Sequence, residues 1–357
     1  MTTGSQPPAN APARIVPRVA EQRALDAALP IAASGILCTT LGRAQAAYAL
    51  ACQRPEGNVT CWFLDLFVQE LARAHCQPRQ ANLSLSCLPD PPADPVDLAV
   101  IPFNTHGESE LGRNVLQAAC ERLAIGGSLV AAVDNPNDRW LHEQLAELFA
   151  KVTVQSHADA VVYIARKTAE PRRHRDFRCQ FAFRDAGRLI HAVSRPGVFA
   201  HRRLDGGARQ LLGAAEVAPG MRVLDIGCGT GTVGLALAAR QASAAVHAID
   251  SNARAIECKL AGAALNDLAN VTAELNCDGR LEGDATYDLA VANPPYFADT
   301  RIAEHFLATA RRALRPGGRV LVVAKRPDWY EAIMPAQWYQ VENRPAKQYC
   351  LISALRP

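Results

Sequence analysis

The sequence predicts an α/β protein built from two tandem, doubly wound domains with mostly parallel sheets. From residue 221 to the C-terminus, short apolar runs typical of buried strands alternate with helical segments, the order that produces a doubly wound sheet. Shifting the chain against itself by 191 residues aligns two copies of Asp-Leu-Ala-Val, at 97–100 and 288–291, and two Gly-Gly pairs, at 126–127 and 317–318. We therefore expect an internal duplication, and 357 residues are enough for two copies.

Composition divides the chain into four segments. Residues 1–22 carry four prolines among small polar residues and are expected to be a disordered leader. Residues 23–168 and 194–357 are the two predicted domains, and the second carries the motifs for chemistry. Between them, residues 169–193 are predicted to form a basic linker that ends in a hairpin.

The tetrapeptide Asn293-Pro294-Pro295-Tyr296 is the most informative motif, and it follows a strand-like apolar run at 287–292. The amine of a nucleobase or a carboxamide is a weak nucleophile because its lone pair is delocalised. Two acceptors, the side-chain oxygen of Asn293 and the backbone carbonyl of Pro294, would orient the two N–H bonds and direct the lone pair at an electrophile. Tyr296 offers an aromatic face for an extruded base. The alternative is an ordinary proline loop.

A glycine-rich turn upstream of the tetrapeptide predicts a ligand site. The strand that ends at Asp225 opens into a turn containing Gly227, Gly229 and Gly231, and such a turn lets backbone N–H groups approach a ligand closely. Asp250 ends the next strand, at the spacing where a carboxylate meets ribose hydroxyls.

Two ligands compete for this turn. Residues 229–234 satisfy the dinucleotide pattern G-x-G-x-x-G, so a nicotinamide or flavin cofactor is the alternative. A carboxylate at Asp225 would repel a pyrophosphate but would pair with the ammonium group of S-adenosylmethionine. Together with the tetrapeptide, Asp225 favours S-adenosylmethionine as the cofactor.

These motifs resemble the Rossmann-like, class I S-adenosylmethionine-dependent methyltransferases that methylate amino nitrogens. The resemblance implies that residues 225–231 form the cofactor loop, that Asp250 binds the ribose and that residues 293–296 are catalytic. It also implies that Asp278 contacts the ligand near adenine, and an ordinary turn at residues 276–279 is the alternative. The implied fold is two tandem Rossmann-like methyltransferase domains.

The first copy has lost these motifs. Residues 102–105 read Pro-Phe-Asn-Thr where the second copy has the tetrapeptide, and the turn at 36–43 keeps one glycine and no acid. Asp65 could be the relic of a ribose carboxylate, but one such group cannot make a site. We expect a degenerate domain that is structural or positions RNA.

A degenerate domain ahead of an intact one resembles the bacterial ribosomal RNA guanine-N2 methyltransferases. Residues 194–212 look like the entry segment of that family, in which Phe199 and Asp205 would cover the cofactor pocket; for Phe199 a core aromatic is an equal alternative. Family members often have Phe and His after the two prolines, where this chain has Tyr296 and Phe297. Adenine-N6 and glutamine-N5 methyltransferases share the tyrosine. Those substrates, and a non-catalytic RNA-binding module, are therefore the alternatives.

Positive charge is concentrated in one stretch. The net charge is only +3, yet residues 166–209 contain 12 Lys and Arg against 4 acids. This stretch precedes the glycine turn and suits an RNA backbone laid between the domains, whereas a solvated linker is the alternative. The arginines expected to contact the substrate are Arg172, Arg173, Arg175, Arg202 and Arg203.

The remaining composition argues against other classes. The 11 cysteines include no Cys-x-x-Cys pair or Cys/His cluster, and we find no signal peptide, which indicates reduced thiols in the cytoplasm and no metal site. No apolar run reaches membrane-spanning length. The expected partner is ribosomal RNA or a ribosomal subunit, and we expect a monomer.

Overall fold

The computed structural model describes residues 16–283, 285–295 and 300–357, which form two α/β domains. The front sheet consists of β1 (Gly35–Cys38), β2 (Asn58–Phe63), β3 (Leu83–Cys87), β4 (Val96–Phe103), β5 (Leu123–Val133), β6 (Val152–Ser156) and β7 (Val161–Arg166). Its helices are α1 (Val19–Ala28), α2 (Gln45–Gln53), α3 (Leu66–His75), α4 (Ser109–Arg122) and α5 (Trp140–Leu148). The strand order is β3-β2-β1-β4-β5-β7-β6, and β7 runs antiparallel to both of its neighbours.

A hairpin, β8 (Cys179–Asp185) and β9 (Arg188–Ser194), leads into the back domain. The back sheet consists of β10 (Arg222–Ile226), β11 (Ala245–Asp250), β12 (Val271–Leu275), β13 (Tyr287–Ala292), β14 (Leu314–Ala324), β15 (Tyr339–Ala346) and β16 (Tyr349–Leu355). Its helices are α6 (Gly206–Ala214), α7 (Thr232–Arg240), α8 (Ala253–Leu265), α9 (Thr300–Ala313) and α10 (Asp328–Ile333), followed by a short 3-10 turn, Met334–Ala336. Within the described ranges, no helix combines the length and the apolar composition needed to cross a bilayer.

The two sheets share one topology and one irregularity. The back strands are ordered β12-β11-β10-β13-β14-β16-β15, which repeats the front order strand for strand. The register of β4 on β5 shifts between Val96 and Leu98, and that of β13 on β14 shifts between Tyr287 and Leu289. These positions are separated by the 191-residue offset found in the sequence. The prediction of two tandem, mostly parallel α/β domains is confirmed.

The order of the back strands positions the site. Strand β10 lies between β11 and β13 and runs parallel to both. Because parallel strands end at the same edge of a sheet, the residues that follow these three strands meet there.

The front domain begins earlier than predicted. Residues 1–15 lie outside the described part, but α1 starts at Val19, so residues 19–22 are helical and the predicted leader boundary is wrong at its C-terminal end. Ala20, Ala24 and Ala28 are fully buried and join the front core. Small residues at this spacing form one face of a helix that packs closely on the sheet.

The hairpin packs on the back domain. Phe183, Ile190 and Ala192 are buried in its hydrophobic core together with the apolar face of α6 and α7. The segment predicted as a basic linker, residues 169–193, therefore does run into a hairpin, and residues 167–178 connect the front sheet to it.

The two domains meet through reciprocal backbone hydrogen bonds. The N–H of Leu66, the first residue of α3, donates to the carbonyl of Ser251 at 2.8 Å. The N–H of Ala253, the first residue of α8, donates to the carbonyl of Leu64 at 2.8 Å. Equivalent helix starts of the two copies thus face each other across the domain boundary.

Candidate active site

The glycine turn has the backbone geometry that only glycine adopts readily. Gly227, Gly229 and Gly231 have φ of 68°, 52° and 77°. The N–H of Gly227 donates to the carbonyl of Ile249 at 2.8 Å, and the N–H of Gly229 donates to Oδ2 of Asp250 at 2.8 Å. Gly231 caps the N-terminus of α7. The turn is therefore tied to the end of β11, and its role as a cofactor loop stays a prediction.

Asp250 is a partly buried acid at the end of β11. Its Oδ1 accepts from the N–H of Asn252 at 2.9 Å. Burial raises the pKa of Asp250 to about 6, against the two backbone hydrogen bonds that lower it, and the charges of Asp65 and Asp225 raise it further.

Asp225 has a partner that the sequence analysis missed. Its Oδ2 accepts from Nζ of Lys259 at 3.3 Å and from the N–H of Gly234 at 3.0 Å. Lys259 is fully buried on α8, and its Nζ also donates to the carbonyl of Gly231 at 3.2 Å. The acid expected to attract an ammonium group is thus already half of a buried ion pair. Lysine is rarely fully buried without such a partner.

The position of Lys259 also explains why residues 231 and 234 are glycines. A Cβ at Gly234 would lie 2.0 Å from Nζ of Lys259, and a Cβ at Gly231 would lie 2.4 Å from its Cδ. The third glycine of the G-x-G-x-x-G match therefore makes room for a lysine. The G-x-G-x-x-G pattern at residues 229–234 is therefore explained without a bound dinucleotide.

Asn293 is held by a second acid. Asn293 follows the end of β13, and its Nδ2 donates to Oδ2 of Asp205 at 2.9 Å. Asp205 caps α6 by accepting from the N–H groups of Gly207 at 2.7 Å and Ala208 at 3.2 Å. Pro294 follows and is buried. The other catalytic candidate, Tyr296, lies outside the described residues.

One small cavity collects four of the seven predicted cofactor residues together with Asp205 and Asn293, whereas Gly231 and Asp250 do not line it. Its lining includes Phe199, Asp205, Asp225, Gly227, Gly229 and Asn293. Phe199 is 47% exposed, so it is not a core aromatic. A Cβ on Gly229 would lie 3.7 Å from Cβ of Phe199, which places this side chain over the glycine turn.

Asp278 is absent from that lining and lies in an exposed turn. Its Oδ1 accepts from the N–H of Arg280 at 3.0 Å, and the turn is closed by a hydrogen bond of 2.8 Å from the N–H of Gly279 to Oδ1 of Asn276. These hydrogen bonds are those of an ordinary turn, the alternative given for residues 276–279. The contact of Asp278 with adenine stays a prediction. Across the described ranges, no three His, Cys, Asp or Glu residues are grouped closely enough to hold a metal ion.

Residues 190–352 match the family model described as "Methyltransferase small domain". The match begins within β9 and ends within β16, so it spans the back domain. The ribosomal RNA small subunit methyltransferase C of Hahella chejuensis is 37% identical over 163 residues, which cover 43% of this chain and 47% of that relative. The protein of the same name from Pseudomonas aeruginosa (strain LESB58) is 38% identical over 142 residues, covering 38% and 41%. The chain thus spans less than half the length of these curated relatives.

A solved structure extends the likeness to both halves. The T. thermophilus 16S rRNA N2 G1207 methyltransferase RsmC, in complex with AdoMet and guanosine, superposes with a TM-score of 0.76 at 22% identity. The superposition covers 95% of this chain and 92% of that one. At this identity the likeness establishes the fold, and it includes the front domain as well as the back domain.

The front domain closes its own glycine-poor turn. Glu21 of α1 is fully buried, and its carboxylate accepts from Oγ1 of Thr40 at 2.9 Å, the N–H of Leu41 at 3.0 Å and the N–H of Ala46 at 3.2 Å. Burial raises the pKa of Glu21. Asp65, the suspected relic, caps α3 through the N–H of Val68 at 3.2 Å. Both acids of the front domain are thus bonded to the chain itself.

The predicted substrate arginines fall into two groups. Side chains of Arg172, Arg173 and Arg203 are exposed and have no hydrogen bond or ion pair to a residue that the structure describes. Arg175 pairs with Glu147 at 3.0 Å, and Arg202 pairs with Glu110. The first group is the better candidate for phosphate contacts, because its charges have no partner among the described residues.

Proposed function

We propose that the protein transfers a methyl group from S-adenosylmethionine to the exocyclic N2 amine of a guanine in ribosomal RNA. The observation that carries the proposal is the amide of Asn293, which is held at the end of β13 and lines one cavity with the glycine turn and Asp225. The names of the relatives, which are ribosomal RNA methyltransferases, support the substrate. Such a substrate implies a cytoplasmic enzyme that acts on ribosomal RNA or a ribosomal subunit, and we infer a monomer.

The residues at the turn fit S-adenosylmethionine. The positive-φ glycines bring the backbone close to a ligand without a side chain between them. Asp250 offers a carboxylate for ribose hydroxyls, and Asp225, despite its bond to Lys259, borders the cavity where an ammonium group would be attracted. Phe199 would cover the bound molecule. The donor supplies a methyl group on a positively charged sulfur, which is an electrophile.

The chain's part in the chemistry is to shape the amine. The side-chain oxygen of Asn293 and the carbonyl of Pro294 would accept hydrogen bonds from the two N–H groups, so that the nitrogen lone pair is directed at the methyl carbon. As the nitrogen–carbon bond formed, the carbon–sulfur bond would break with its electron pair left on sulfur, and the nitrogen would lose one proton to water. Tyr296 would stack on the extruded base. Tyrosine at this position also suits adenine-N6 or glutamine-N5 as the acceptor, which is the second candidate function. The cavity makes a purely RNA-binding role less favoured than an enzyme.

Single-turnover methyl transfer to ribosomal RNA tests the proposal. Asn293→Ala removes one of the two acceptors and should slow transfer by roughly 100-fold or more, with little change in RNA affinity. Asn104→Ala, in the corresponding segment of the front domain, is the matched control and should leave the rate unchanged. A near-normal rate for Asn293→Ala would contradict the mechanism. Methyl found on adenine or glutamine by mass spectrometry would favour the second candidate.

A further inference from the structure

The proposed mechanism requires one of two orientations of the Asn293 amide. An asparagine side chain presents either its oxygen or its NH2 group in a given direction, and the two orientations occupy the same space. Only the oxygen can accept a hydrogen bond from a substrate amine. If the NH2 group faced the substrate, donor would meet donor, and the amine would lose an acceptor.

The carboxylate of Asp205 selects between these orientations. An ionised carboxylate has acceptors only, so the group of Asn293 that faces it must be the NH2 group. The distance of 2.9 Å between Nδ2 of Asn293 and Oδ2 of Asp205 is that of a charge-assisted hydrogen bond. The amide oxygen is thereby directed away from Asp205.

Asp205 is itself held in place by the helix it caps. Its Oδ2 accepts from the first N–H groups of α6, those of Gly207 and Ala208, and the partial positive charge of a helix N-terminus favours an anion there. Helix α6 is fixed because Ala208 and Leu211 are buried in the back-domain core. The capping bonds leave the carboxylate little freedom to turn away from Asn293.

We propose that Asp205 is a positioning residue that sets the orientation of the Asn293 amide, so that its oxygen is the acceptor for the substrate amine. This inference rests on the proposed function for its catalytic consequence. The orientation itself is argued from the contacts among Asp205, Asn293 and the start of α6 and does not depend on turnover.

Two substitutions separate positioning from helix capping. Asp205→Ser keeps a good N-cap, because serine and aspartate cap helices about equally well. The serine side chain is too short to reach Asn293. Asp205→Asn keeps the length and the cap. Because the cap and Nδ2 of Asn293 share one oxygen, the asparagine oxygen would still accept from Asn293, but as a weaker bond without the charge. Thermal unfolding midpoints of both variants should stay close to that of the wild type.

A double-mutant cycle tests the catalytic role. Asp205→Ser should lower the single-turnover rate, by no more than the roughly 100-fold expected for Asn293→Ala, with KM for donor and RNA little changed. Asp205→Asn should lower the rate less, because an oxygen still faces Asn293. In an Asn293→Ala background, Asp205→Ser should cause no further loss. Additive losses, or an unchanged rate for Asp205→Ser alone, would overturn the proposal.

Nuclear magnetic resonance on the full chain tests the orientation without turnover. The side-chain NH2 signals of Asn293 are identified by their disappearance in Asn293→Ala, and in Asp205→Ser they should shift and exchange faster with water. Unchanged signals would refute the orienting contact. If the wild type transfers no methyl group to RNA while these signals do respond to Asp205→Ser, the proposed function fails and the orienting contact stands.

Discussion

Replacing Lys259 with methionine should destabilise the back domain by about 3–5 kcal/mol, because it leaves the carboxylate of Asp225 buried without its counter-charge. At the observed 3.3 Å between Nζ and Oδ2, an effective dielectric constant of about 20 gives an attraction of roughly 5 kcal/mol. Methionine fills most of the volume of the lysine stem, so packing changes little. The one remaining hydrogen bond, from the N–H of Gly234, cannot neutralise the charge.

Urea denaturation of the full chain measures the effect, and a thermal midpoint lower by roughly 6–20 °C is expected for a domain of this size. The double variant Asp225→Asn/Lys259→Met removes both charges and should recover much of the loss. Lys167→Met in the front domain is the matched control: Lys167 is also buried, but its acidic partner Glu170 is 70% exposed and stays hydrated. A loss below about 1 kcal/mol for Lys259→Met, or no recovery in the double variant, would refute the buried-charge argument.

Three further outcomes are expected. Burial raises the pKa of Asp250 to about 6, so its carboxylate becomes protonated as the pH falls through that value. Calorimetry should therefore find that S-adenosylhomocysteine, the product of the methyl donor, binds up to about tenfold more weakly at pH 5 than at pH 7.5. Asp250→Asn should bind weakly with no such trend; a flat wild-type profile would argue against a ribose contact. Gly227→Ala should lower the unfolding midpoint more than Gly220→Ala, because both have positive φ but an added Cβ at Gly227 would lie 2.6 Å from an aromatic side chain, whereas at Gly220 nothing lies within 4 Å. Equal losses would show that the contact adds nothing. Replacing Arg172 and Arg173 with alanine should flatten the salt dependence of RNA binding by up to about 2 units of slope, and an unchanged slope would mean that these arginines do not contact phosphates.

The features predicted correctly depend on local patterns. Short runs of neighbouring residues encode the alternating strands and helices, the repeated Asp-Leu-Ala-Val run and the turn after β10. The tandem fold could therefore be predicted, and so could the sheet edge at which Asn293 and the glycine turn meet. Periodicity is a reliable signal for elements of this kind. The start of α1 was missed because its alanines resemble the small residues of a disordered leader.

The contacts that were missed depend on residues distant in the chain. Lys259 lies 34 residues after Asp225, and Asp205 lies 88 residues before Asn293. One signal for Lys259 was present, because it stands between Ala255, Cys258 and Ala263 on the buried face of α8. A lysine among such residues requires an acidic partner, but the sequence does not say which one.

The reciprocal bonds between the two domains bear on how the duplication arose. Each helix start donates to the residue two positions before the other helix start, so the same small surface is used twice, as in the contact of a symmetric homodimer. This is the arrangement that fusion of two identical, already paired subunits would leave. After such a fusion, the ligand-binding turn of one copy is free to change, as in the front turn where Glu21 accepts from the N–H of Leu41, because the contact between the copies does not involve that turn. On this view the contact between the two domains arose before their sequences diverged.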